Sequence, residues 1–160
     1  MKPPVRIVDI MGDLVAKTSA KLLTYLQTID PLIKGVHYQY GHYNDIKERL
    51  LAKGKIDPTA RYPLVVLFED FRVQNRTPGI FGIADIKIMV LCLTKKEYTR
   101  QQREEKSFKP VLVPIYDELF RQMKLSGKFM QYGPFRHNRI DRPHWGDPAI
   151  YGPNGYLFDE

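Results

Sequence analysis

Residues 62–94 read YPLVVLFEDFRVQNRTPGIFGIADIKIMVLCLT: two apolar runs joined by a polar connector that carries glycine and proline. PLVVLF is continuously apolar, as befits a strand buried on both faces. ADIKIMVLCLT alternates at first and then becomes apolar throughout. Both are expected to be central strands. The connector FRVQNRTPGIFG is too long for a tight hairpin turn, so it is expected to project from the body and be free to contact something else.

Working back toward the start, Ile7, Ile10, Met11, Leu14, Val15, Leu22, Leu26 and Ile29 fall on one helical stripe, predicting a first long helix that Asp30-Pro31 stops. VHYQYGHY (36–43) predicts a short strand, with Gly41 marking a bulge or bend. NDIKERLLAK predicts a brief helix with Asn44 or Asp45 as cap and Gly54 as stop, and GKIDPTAR a polar connector. Working forward, Phe108, Leu112, Ile115, Tyr116, Leu119, Phe120 and Met123 predict a second long helix ending at Ser126-Gly127. Pro110 fits its first turn, and Pro114 marks a kink or the true start. FRHNRIDRPHW (135–145) is expected to hold a last strand. With strands grouped rather than alternating with helices, the fold class expected is α+β: a mostly antiparallel sheet of about four strands, with two long helices packed on one face.

The 160 residues are 43% hydrophobic, 27% charged and 12% aromatic, a globular composition large enough for one domain over 1–160. Its core is expected over about 7–146, with 147–160 as an extended C-terminal arm, because prolines gather at both ends. The net charge of +7 attracts phosphates and anionic surfaces. The densest charged segment, KKEYTRQQREEK (95–106), carries three glutamates among its five cations and reads as a solvated face. The single cysteine, Cys92, lies in an apolar run, which leaves no disulfide framework within one chain and predicts a buried thiol. With no secretory leader and no long apolar run, the expectation is a soluble protein kept in a reducing cytoplasm or released only by cell lysis, with no membrane partner.

Three constellations could carry chemistry. Asp70, Asp85 and Lys87 match the bare pattern of PD-(D/E)xK nucleases, where carboxylates hold Mg²⁺ and the lysine stabilises charge. Side chains two apart on a strand share a face, which is why acid-x-lysine can form one site. The competing reading, that Glu69, Asp70 and Asp85 solvate the ends of buried strands, is favoured. His37, His42, His137 and His144 occupy two aromatic-rich segments, but a zinc site needs three or four converging ligands, and half-buried histidines are the simpler expectation. Arg136, Arg139 and Arg142 with Phe135, His144 and Trp145 suit either nucleic-acid phosphates and stacked bases or a protein interface. No Gly-rich phosphate loop or nucleophile elbow is present.

YPLVVLFEDF, ADIKIMVLCLT, KSFKPVLVPIYDELFRQM and IDRPHWG together resemble small neck and tail-completion proteins of phages infecting Bacteroidetes, the crAss-like phages included. The likeness spans roughly residues 7–146. The order of elements is also similar to tail-terminator and tail-completion proteins of tailed phages generally. The resemblance implies a virion structural protein, made in the host cytoplasm, that forms a homo-oligomeric ring and joins portal or connector to tail while packaged DNA passes through its lumen. It implies no catalytic residue, cofactor or metal. It also implies that residues 72–82 reach a neighbouring subunit or ring. The expected contacts are Phe71, Arg72, Val73, Gln74, Asn75, Arg76, Ile80 and Phe81 in and beside that loop, together with Arg139, Arg142 and Trp145 of the Arg and Trp segment. Such proteins commonly continue beyond a segment like GYLFDE, so a final strand is expected to be absent or supplied by a neighbour.

Overall fold

The computed structural model describes residues 6–51, 62–69, 73–77, 81–95, 97–129, 139–141 and 157–159. The fold is α+β. Helix α1, Ile7–Ile29, covers the predicted span; Val8, Met11, Leu14, Val15, Thr18 and Leu26 are buried, and Ile7, Ile10 and Leu22 pack partly against the same core. It stops where expected: Asp30 is extended, its N–H still donates to the Leu26 carbonyl, and its carboxylate caps the following turn by accepting from the Leu32 N–H.

Strand β1 (His37–Gly41) leads through α2 (Tyr43–Leu51) to β2 (Leu64–Phe68), and β1 and β2 pair in parallel, His37 opposite Leu64 and Gly41 opposite Phe68. A strand, a helix and a second parallel strand form a crossover, which is how neighbouring parallel strands are connected. The sheet is therefore mixed, with one parallel pairing beside its antiparallel ones. Gly41 ends β1 at a positive φ of 153°, a conformation that favours glycine, and its carbonyl accepts from the Glu69 N–H.

The predicted connector is itself structured. Val73–Thr77 (β3) and Phe81–Ala84 (β4) pair antiparallel as a separate two-stranded sheet, with a register irregularity between Asn75 and Thr77. Ala84 thus belongs to this hairpin, and β5 begins at Lys87 and runs to Thr94, antiparallel to β2. At the far end of the chain β6 (Leu157–Asp159) pairs antiparallel with Cys92–Thr94. Residues 157–159, expected within an extended arm, are thus a strand of the main sheet. The order across the sheet is β1-β2-β5-β6. Of the strand expected over 135–145, the described residues 139–141 are not in a strand, and the rest lies outside the described residues.

The second long helix begins earlier than its apolar stripe. Thr99 caps α3 (Arg100–Arg103) in a reciprocal capping box with Gln102, whose backbone N–H donates to the Thr99 hydroxyl while its side chain accepts from the Thr99 N–H. A π-helical segment, Glu104–Leu112, and α4 (Val113–Leu125) follow without a break. The wide turns hold Pro110, and the Val113 N–H donates five residues back to the Phe108 carbonyl. Proline in an ordinary helix would lose one bond and crowd the carbonyl four residues earlier. Widening the turns accommodates Pro110, and Pro114 then falls in the first turn of α4.

Alternation along β2 divides the core. Val65 and Leu67 join the larger cluster with α1, the π-helical segment (Phe108, Val111, Leu112), Ile115, Leu119 and Met123 of α4, and Cys92. Leu64 and Val66 join Met89, Leu91, Tyr62 and Ile46 of α2 in a second cluster. Each fully buried aliphatic side chain stabilises by roughly 1.5–3 kcal/mol relative to exposure, so β2 is the element with most to lose from a polar substitution.

Candidate interaction surface

The carboxylates expected at the strand ends divide between the fold and the solvent. Glu69, just past β2, forms an ion pair with Arg6 at 3.3 Å, at the residue before α1. This is a strand-end carboxylate serving the fold. Asp85 is exposed and lies ahead of β5, and Lys87 is the exposed first residue of that strand. The shared-face argument for acid-x-lysine needs both residues on one regular strand, a condition that Asp85 does not meet. Asp70 lies outside the described residues. Among the described residues no three of His, Cys, Asp and Glu come together to hold a metal.

His37, half-buried at the start of β1, has a buried Nε2 with no hydrogen-bond partner, and burial lowers its pKa from the ordinary imidazole value. His42 is exposed just beyond β1. His137 and His144 lie outside the described residues. Cys92 is buried, as its apolar setting predicts.

The expected contact residues divide by element. Val73, Gln74, Asn75 and Arg76 are on β3 and Phe81 is on β4, so the hairpin brings five of them onto one two-stranded ribbon. Phe71, Arg72, Ile80, Arg142 and Trp145 lie outside the described residues, as do Phe135 and Arg136. Arg139 is placed clearly. Its guanidinium donates to both carboxylate oxygens of Asp141, at 2.7 and 3.0 Å, and lies 5.3 Å from the centre of the Tyr116 ring on α4. The Asp141 carboxylate raises its already high pKa. An arginine engaged on both sides in this way fastens residues 139–141 to the helix rather than offering a free charge to phosphate. Between the two, Ile140 points outward and is 62% exposed. Tyr25, Ile29 and Leu32 near the end of α1, and Leu125 at the end of α4, are further exposed apolar side chains.

The sequence reading passed over one cluster. At the turn between β5 and α3, Tyr98 lies under two ammonium groups, Lys106 Nζ at 4.7 Å and Lys95 Nζ at 5.9 Å from its ring centre. The buried Arg103 holds this corner together, donating to the Thr94 hydroxyl at 3.0 Å and the Lys95 carbonyl at 2.8 Å. Taken only as a charge run, 95–106 hides this arrangement; the T-x-x-Q capping box was the signal that a helix starts inside it.

Among the described residues no helix is long and apolar enough to cross a membrane. Comparison with known proteins gives no matching family model, no similar curated protein and no similar solved structure.

Proposed function

We propose that this chain is a structural subunit of a homo-oligomeric ring in the neck or tail terminus of a tailed phage, joining portal or connector to tail, rather than an enzyme. The reading starts from the sequence resemblance, and the observation that carries it furthest is the β3–β4 hairpin: a two-stranded sheet separate from the main one, built from the polar stretch VQNRT and from FGIA. A closed ring needs two different surfaces per subunit that match head to tail. In this reading the single domain is a platform, with a sheet of four strands and both long helices on one face of it, and the hairpin reaches a neighbouring subunit or ring. The work is mechanical: interlocked subunits hold while DNA passes through the lumen. Mass photometry and electron microscopy of the purified protein, alone and with portal complexes, test it. Closed rings, or incorporation into a portal assembly, are the expected result. A strictly monomeric protein that is absent from purified virions would overturn the reading.

A further inference from the structure

We propose that Lys95, Tyr98 and Lys106 form a sequence-independent binding site for the phosphate backbone of nucleic acid. Two ammonium groups converge on one ring, at 4.7 and 5.9 Å from its centre, and both lysines are exposed. Among the described residues neither ammonium is paired with a carboxylate. Each cation–ring contact at an exposed site stabilises by about 0.5–1 kcal/mol, while the two like charges repel. A phosphate beside either ammonium would offset that repulsion.

The corner is also held in place. The Tyr98 N–H donates to the Lys95 carbonyl at 3.2 Å, and buried Arg103 donates to the same carbonyl, so the turn is tied to the helix that carries Lys106. Carboxylates are nearby: Glu97 lies in the same turn, exposed, and Glu104 and Glu105 lie on the helix, Glu105 accepting from Gln101 at 3.0 Å. Even so, residues 95–109 hold five cations besides the buried Arg103, against three carboxylates.

The residue types point to phosphate rather than to an acidic protein. Lysine is depleted from protein–protein interfaces, where arginine is favoured. Its ammonium is a point charge that contacts phosphate without reading sequence. Arg139, the cation expected from sequence to make such contacts, is already engaged by Asp141 and Tyr116. The inference does not depend on the ring reading, since it concerns one corner of one subunit.

The test is fluorescence anisotropy with a random-sequence DNA duplex over a salt series, on the full chain and three variants. In Lys95→Gln/Lys106→Gln the slope of log affinity against log salt should become shallower by about 1.8, the loss of two duplex phosphate contacts, with affinity at low salt about ten-fold weaker. Lys95→Arg/Lys106→Arg, which keeps both charges, should retain the slope. Lys17→Gln/Lys128→Gln, which removes two exposed lysines elsewhere, should stay close to the full chain. Equal behaviour of the two Gln pairs would overturn the proposal. So would a polyglutamate probe whose binding is lost in Lys95→Gln/Lys106→Gln while DNA binding is unchanged.

Discussion

Arg103 on α3 donates to the Thr94 hydroxyl at 3.0 Å, joining the last residue of β5 to the start of the second long helix. The arginine is only 2% exposed, so its hydrogen bonds are made away from water. Arg103→Met should cost about 2–3 kcal/mol, the penalty for leaving the Thr94 hydroxyl and the Lys95 carbonyl without a donor. Arg103→Lys should recover only part of this, because one ammonium cannot reproduce a planar fork. Urea denaturation midpoints check both.

Gly12 lies inside α1, where glycine ordinarily costs about 1 kcal/mol relative to alanine. Here an added Cβ would meet the Tyr38 ring at 3.3 Å, and that ring is held by its hydroxyl donating to the Val8 carbonyl at 2.9 Å. Gly12→Ala should therefore destabilise by about 1 kcal/mol instead of stabilising. Adding Tyr38→Leu, which removes the ring, should turn the same substitution favourable. A double-mutant cycle by thermal melting reads the coupling.

Among the described residues, two groups have shifts that bear on the response to acid. Burial depresses the His37 pKa below its ordinary 6.5, so the folded state takes up that proton less readily than the unfolded chain, and stability falls as pH drops through about 6.5. Glu118 accepts two bonds from Arg121, at 2.6 and 2.8 Å, which draws its pKa down to about 2. Its contribution is present above the ordinary carboxylate value and is lost as pH falls toward about 2. Arg121 lies half in solvent, which screens the pair. Chemical denaturation across pH should show His37→Leu flattening the upper step and Glu118→Gln the lower.

Asp85 and Lys87 are exposed and Asp85 precedes the strand. Asp85→Ala and Lys87→Ala should each change stability by no more than about 0.5 kcal/mol, and the unmodified chain should show no Mg²⁺-dependent DNA cleavage. Cleavage that disappears in either variant would restore the nuclease reading. A plasmid-nicking assay with Mg²⁺ and with chelator decides it.

Replacing residues 73–84 by a short turn should leave the main sheet intact, because β3 and β4 pair only with each other among the described residues. On the ring reading the shortened chain should keep a cooperative melt but lose its oligomers in mass photometry. Retained rings would take the hairpin out of the interface.

What the residues disclosed in advance depended on apolar spacing. Helix α1 could be read to its last turn, and the cores of β2 and β5 were plain, because burial there demands an unbroken pattern. The hairpin was not, since VQNRT has no apolar alternation to betray a strand. The parallel pairing of β1 and β2 could have been deduced from the strand-helix-strand order, a topological clue that outweighs the grouping of the later strands. At the candidate surface, the arginine in the Arg and Trp segment was visible as a residue type but not as an engaged one. Its partners, Asp141 and Tyr116, are set by tertiary packing, and so is the meeting of Lys95 and Lys106 over Tyr98.

The strand Leu157–Asp159 has a kinetic meaning as well as a place in the sheet. Its partners Cys92–Thr94 lie far back along the chain, whereas β2 and β5 join segments much nearer in sequence. Closing the longer loop costs more chain entropy, and among the described residues three residue pairs reward it. The body of the sheet is thus expected to assemble before its last strand arrives. During synthesis the wait is longer still, because residues 157–159 leave the ribosome well after residues 92–94.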